Sequence, residues 1–247
     1  MSRYDQRTTM FSPEGRVYQV EYALQSIEHA PAAIAILTSG GIIFAAEKRI
    51  PSPLLDTEPK TELGINSEKM MIIDHHIACV VAGMTSDSHI LIQHAREIAQ
   101  QHRYTYREDI SVEDVAVRIA DLKQSYTQYG GLRPFGTSLL IAGYDEQCGM
   151  QIYLTDPSGN YTQWKAHAIG NGSTTAIHFL KNEWKEGISL DDGLKLVLRA
   201  MGKILDATIT EEKVEVGVFQ VKDGSNANFE MLPIEKLKTL IGEVVAK

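Results

Sequence analysis

Ala32-Ala33-Ile34-Ala35-Ile36-Leu37 and Ile42-Ile43-Phe44-Ala45-Ala46 flank the short segment Thr38-Ser39-Gly40-Gly41. Two runs of small and branched apolar residues around a Gly-Gly turn read as a β-hairpin. An antiparallel pair at this point sets the class of the sheet, because strands joined by tight turns cannot be parallel neighbours. Upstream, Val17, Val20, Leu24 and Ile27 recur at spacings of three and four and predict a helix of about three turns, closed by Pro31. Downstream, a polar stretch from Pro51 to Ser67 precedes a second strand pair, Met70–Ile73 and Ile77–Ala82, separated by Asp74-His75-His76.

The period then becomes helical. Ile90, Leu91, Ala95 and Ile98 share one side of a helix from about Ser86 to His102. Val112, Val115, Ile119 and Leu122 do the same for a helix to about Tyr126. After the breaker-rich Tyr129–Pro134 segment, strands are expected at Thr137–Tyr144, Met150–Thr155 and Trp164–Ile169. Two helices follow, the second with a continuous apolar face through Leu190, Leu194, Val197, Leu198, Met201, Ile204 and Leu205. Val214–Val221, the turn Asp223-Gly224-Ser225-Asn226 and Phe229–Leu232 read as a last hairpin, and a helix from about Pro233 to Val245 ends the order. Hairpin-linked strands with helices arriving in pairs predict an α+β protein whose sheets are buried on both faces.

Length and composition agree. At 247 residues the chain can bury roughly 70–75% of its unfolded surface, so a core needs no cross-links. No linker or repeat divides it, and one domain (16–247) behind a short arm (1–15) is expected. The net charge of -8 argues against nucleic acid and anionic membranes as partners, which select basic faces. No apolar stretch reaches the roughly 18–20 residues that span a bilayer, and the amino terminus lacks the apolar segment of a secretory signal. Cys79 and Cys148, both read as lying in apolar runs, are expected to be free thiols in a reducing compartment, cytoplasm or nucleus.

Several motifs invite chemistry and are set aside. Gly170-Asn171-Gly172-Ser173-Thr174 follows a strand and opens a helix, but it lacks the Gly-Lys-Ser/Thr ending of a phosphate loop and reads as a tight turn with Ser/Thr capping. Asp74, His75 and His76 are excluded as a metal site, since adjacent strand residues point to opposite faces. His89 and His94 are five apart and miss a shared helix face. Trp164 and Trp184 read as core or interface anchors. No cofactor is expected.

Periodicity alone stops there. The segment Tyr4-Asp5-Gln6-Arg7-Thr8-Thr9-Met10-Phe11-Ser12-Pro13-Glu14-Gly15-Arg16-Val17-Tyr18-Gln19-Val20-Glu21-Tyr22-Ala23 resembles the signature of proteasome alpha-type subunits. The likeness continues through Glu47-Lys48-Arg49, Ser67-Glu68-Lys69, Gln128–Gly136 and Asp156-Pro157-Ser158-Gly159 and covers essentially the whole chain. It implies a four-layer α-β-β-α sandwich of the amino-terminal-nucleophile hydrolase type. It also implies a place in a seven-membered alpha ring with six other alpha-type subunits, beta-type subunits below and activators above. Residues 16–29 would form a ring-contact helix.

Catalytic members of this superfamily use a free amino-terminal Thr whose own amine accepts the hydroxyl proton. Aligning the first hairpin puts Pro31 at the nucleophile position, and proline has no hydroxyl. The only Gly-Thr pair, Gly136-Thr137, is no processing site, because cleavage there would remove half the fold. Glu47 and Lys69 fall near the positions of the relatives' acid and lysine, where an ion pair is the plain reading. The resemblance gives Lys69 a second role, in a pocket between neighbours that takes an activator's carboxy-terminal tail; a solvated surface lysine is the alternative, and the long 56–66 loop bears on the pocket's shape. It likewise implies that Tyr4, Asp5, Pro13 and Tyr22 stabilise an open gate, against the alternative of a frayed terminus. The function implied is that of a non-catalytic gating subunit. An active hydrolase with an unrecognised nucleophile is the other reading.

Overall fold

The structure is a computed structural model that describes residues 9–49, 54, 67–205, 209–222 and 226–245. Two five-stranded antiparallel sheets lie face to face between helices. The elements run α1 (Tyr18–Glu28), β1 (Ala33–Thr38), β2 (Gly41–Glu47), β3 (Met70–Asp74), β4 (Ile77–Gly83), α2 (Thr85–Tyr106), α3 (Val112–Gln128), β5 (Thr137–Asp145), β6 (Gly149–Thr155), β7 (Tyr161–Trp164), β8 (Ala166–Ile169), α4 (Ser173–Glu183), α5 (Leu190–Ile204), β9 (Val214–Lys222), β10 (Asn226–Met231) and α6 (Ile234–Val245). The first sheet has the order β10-β9-β2-β1-β8 and the second β3-β4-β5-β6-β7. The expected hairpin is present, with Ile36 opposite Ile43 and Thr38 opposite Gly41.

Three apolar layers explain why the strand runs do not alternate with polar residues. Ile34, Ile36 and Ile43 pack outward against Leu194, Val197 and Met201 of α5. Cys79, Val81, Leu139 and Ile141 pack outward against Leu91, Ala95, Val115 and Ile119 of α2 and α3. Ala33, Ala35, Phe44, Val80 and Leu140 fill the space between the sheets. A strand buried on both faces reads as an unbroken apolar run. This is the four-layer α-β-β-α arrangement expected from the sequence.

Differences from the sequence reading are local and have causes. The predicted strand Trp164–Ile169 is two strands: β7 pairs with β6 in the second sheet and β8 with β1 in the first, and Lys165 alone lies between them. The α4 turn is glycine-built rather than Ser/Thr-capped, because Gly172 is the N-cap, in the left-handed region, with no side-chain cap bond. Cys148 sits exposed in the β5–β6 turn, where its N–H donates to Asp145 Oδ1 at 2.6 Å, and so is not in an apolar run. Cys79 is buried, and burial pushes its thiol up to about 12. The turn residues 223–225 lie outside the described residues. No helix among the described residues is long and apolar enough to cross a membrane.

The metal exclusion at Asp74, His75 and His76 also needs correction. His75 and His76 form the β3–β4 turn rather than strand, and one ligand atom from each of the three residues lies within 4.8 Å of the others. The cation among them is Arg103, whose Nη2 donates to Asp74 Oδ2 at 2.8 Å and stands 2.9 Å from His75 Nδ1.

Candidate functional site

The first turn of the sandwich places Pro31 and Ala32 between three elements. The end of β2 supplies Glu47, the residue before β3 supplies Lys69, and the start of β9 supplies Glu215. Lys69 reaches across the sheet edge, and its Nζ donates to Pro31 O at 2.6 Å and to Ala32 O at 3.3 Å. Glu47 Oε2 accepts from Ala32 N at 3.2 Å, while its other oxygen pairs with Arg49 Nε at 3.0 Å. The expected Lys69–Glu47 pair is thus not a direct contact. The ammonium binds two carbonyls, and the carboxylate turns to the backbone and to Arg49.

Ser67 orders the other side. Its Oγ accepts from Lys69 N at 3.0 Å and Met70 N at 2.8 Å and donates to Glu215 Oε1. Burial raises Glu215, against the opposing effect of the Ser67 bond and nearby Lys48 and Lys69. Burial lowers Lys69 to about 8, with Glu47 and Glu215 opposing the drop. Sequence reading named Glu47 and Lys69 but missed Ser67 and Glu215, because 148 positions separate the bonded pair. Ser67-x-Lys69 was visible as a motif, whereas nothing local marks Glu215.

The site is walled from the far side. Asn171 N donates to Ala30 O at 2.8 Å, and Gly170 adopts φ 88° against the Pro31 segment. A Cβ at Gly170 would stand 2.8 Å from Pro31 O and 3.0 Å from Ala32 Cα, so only glycine lets the turn close here. Residues 170–172 therefore close over the Pro31 peptide.

Of the four residues that the resemblance assigns to a gate, Tyr4 and Asp5 lie outside the described residues, as do residues 56–66. Pro13 lies exposed in a turn that Gly15 N closes on Ser12 O at 2.9 Å. Tyr22 stacks on Tyr18 along α1, ring centroids 6.3 Å apart. Arg16 clamps the turn to the helix through a two-pronged bond to Glu21, at 2.6 and 2.5 Å. Only Ile27 of α1 is buried, while Leu24 on the same stripe is 37% exposed.

The family model described as "Proteasome subunit" matches residues 27–219, and the model for the N-terminal signature of A-type proteasome subunits matches residues 4–25. Similar curated proteins are "Proteasome subunit alpha type-4" of Dictyostelium discoideum, 48% identical over 98% of this chain and 95% of that protein, and of Spinacia oleracea, 45% identical over 98% of this chain and 94% of that protein. The Petunia hybrida protein of the same name is 44% identical over 97% and 94%. The Tyr4-Asp5-x-Arg7-Thr8-Thr9 and Pro157-Ser158-Gly159-Asn160-Tyr161-x-x-Trp164-Lys165 patterns of this chain resemble that same alpha type-4 group. With two sheets between helix layers, a signature at its amino end and near full-length identity to these relatives, the chain belongs to the proteasome subunit family, as an alpha-type member most like alpha type-4.

Proposed function

We propose that this chain is a non-catalytic structural and gating component of the 20S proteasome alpha ring, working in cytoplasm and nucleus. Its partners are six other alpha-type subunits, a beta-type ring below and a regulatory particle or other activator above. The observation that carries the reading is the peptide at Pro31. An acid–base set resembling that of the catalytic relatives surrounds a prolyl-alanyl backbone, where an attacking hydroxyl and a free amine are required. Leu24, exposed on the apolar stripe of α1 where Val17 and Val20 are only half-buried, supports a neighbour-facing helix.

Lys69 takes the activator's terminal carboxylate in this reading. An ammonium has three donors, and two are engaged on Pro31 O and Ala32 O. The third is free to make a charge-assisted bond, worth ~1.5–3 kcal/mol when partly desolvated. Pro13 and Tyr22, with Tyr4 and Asp5, hold the arm open once the activator shifts its population.

The test uses the isolated full chain and a fluorogenic peptide. No hydrolysis, no label from a threonine-directed covalent inhibitor and an intact mass are expected. Cleavage that the inhibitor silences, or a processed chain starting at Thr, Ser or Cys, would favour the active-hydrolase reading. In assembled particles, Lys69→Ala should weaken opening by an activator-tail peptide about tenfold, in line with loss of one charged hydrogen bond.

A further inference from the structure

The inner face of β9 carries one acid. Val214, Val216 and Val218 pack in the outer layer with α5, so strand alternation turns Glu215, Gly217 and Phe219 toward the second sheet. Gly217 and Phe219 bear this out. A Cβ at Gly217 would stand 3.1 Å from Met70 Sδ of β3, and Phe219 is fully buried between the sheets. Glu215 therefore enters from the first sheet, opposite Ala46 near the end of β2. Lys69 enters from the second, where its carbonyl accepts from Val81 N at 3.0 Å.

A carboxylate turned into an apolar layer is costly unless it is bonded, and well-packed apolar replacements at such places are often neutral or stabilising. Ser67 supplies the bond. Its Oγ donates to Glu215 Oε1 and accepts from Lys69 N at 3.0 Å and Met70 N at 2.8 Å. One hydroxyl thus ties the acid of one sheet to the main chain that carries Lys69 in the other. Glu47 and Glu215 both favour the charged ammonium against burial, and Arg49 opposes them. Lys48, Lys69 and Glu68 are the charges around Glu215 itself. The two acids differ in one respect. Glu47 is paired with Arg49 at 3.0 Å, whereas no lysine or arginine among the described residues pairs directly with Glu215. The charge of Glu215 is left to act on the ammonium.

We propose that Glu215 is a positioning residue for Lys69: through Ser67 it anchors the stretch that carries the lysine, and its negative charge holds the ammonium ready for the terminal carboxylate of an activator tail. The inference rests on the reading that Lys69 takes that carboxylate. Glu215 acts through Ser67 and through its field at Nζ, not by contact with the tail. Burial brings the loss of the Lys69 proton down to about 8. A neutral amine forms no charge-assisted bond, so a group that keeps the amine charged extends docking to higher pH.

Assembled particles carrying variants of this chain, opened by an activator-tail peptide between about pH 6.5 and 9, test it. Wild-type opening should fall as pH rises through about 8, where Lys69 discharges. Glu215→Gln keeps an acceptor for Ser67 and removes the charge. Its fall should come about one pH unit earlier, a loss of about fivefold at pH 8 and less than about twofold at pH 6.5. Ser67→Ala cuts the anchor and leaves both charges, so it should weaken opening at every pH without moving the midpoint. Lys69→Ala should remove the pH dependence along with most of the opening. A merely structural Glu215 would leave the midpoint in place: Glu215→Gln with the wild-type profile, beside an impaired Lys69→Ala, overturns this inference and spares the reading of Lys69. Full opening in Ser67→Ala overturns it as well. Normal opening in Lys69→Ala sinks the reading itself, and the role of Glu215 with it.

Discussion

Lys123 is the least expected charge in the molecule. Its side chain is wholly buried, and Nζ donates to Thr137 O at 3.1 Å, Thr155 O at 3.0 Å and Thr155 Oγ1 at 2.9 Å. Burial lowers it to about 7, opposed by the charge of Asp156. The folded state therefore releases this proton near pH 7, while the unfolded chain holds it to about 10.5. Between those values the unfolded state binds more protons, so stability rises with pH. Melting temperature should climb between pH 7 and 9 more steeply in the wild type than in Lys123→Met; identical slopes would show that the buried amine keeps its proton in the folded state too. Sequence periodicity put Leu122 on the buried stripe of α3, yet Leu122 is only partly buried and Lys123 takes the inner position. Nothing local could reveal this, because the acceptors lie 14 and 32 residues away. Pro31, by contrast, was legible once the resemblance laid the first hairpin on that of the catalytic relatives, because proline carries no hydroxyl.

Among the elements, α5 shows how closely the outer helices sit. Gly193 stands in its first turns, although glycine costs roughly 0.5–1 kcal/mol in a helix relative to alanine. A Cβ there would meet Thr38 Cγ2 at 2.6 Å and Ile43 Cδ1 at 2.9 Å. The helix approaches β1 and β2 too closely for any side chain. Gly193→Ala should accordingly destabilise the chain by about 1–3 kcal/mol despite its better helix propensity, as overpacking does. Urea denaturation reads this directly, and a gain in stability would refute the close approach. The apolar face of α5 was plain in the sequence, since Leu194, Val197, Leu198 and Met201 keep strict helical spacing and all are buried. The break at Lys165 was not, because neither glycine nor proline marks it and both flanking pieces are four-residue strands. The break between β3 and β4 was read at Asp74-His75-His76, but the convergence around Arg103 was not, because the alternation of strand residues was applied where His75 and His76 form a turn.

At the scale of the whole molecule, the layered class followed from hairpins and helix pairs, whereas the division of the ten strands among the described residues into two sheets did not. That division rests on pairings such as β2 with β9, which join residues far apart in the chain. The two tryptophans report on different halves: Trp164 lies in the second sheet, and Trp184 donates from Nε1 to Leu37 O beside the first, at 3.0 Å. Single-tryptophan forms, Trp164→Phe and Trp184→Phe, should unfold in urea at midpoints that coincide after correction for each substitution's own cost, as one cooperative unit does. Separate midpoints would mean the halves melt independently. The hand-over at Lys165 is the reason to expect one event. Its carbonyl is already fixed by Leu37 N at 2.8 Å, so no slack chain separates Trp164 in one sheet from Ala166 in the other. Sliding between the sheets would drag on that taut crossing, and a pull felt at one end of the sandwich must travel to the other as shear.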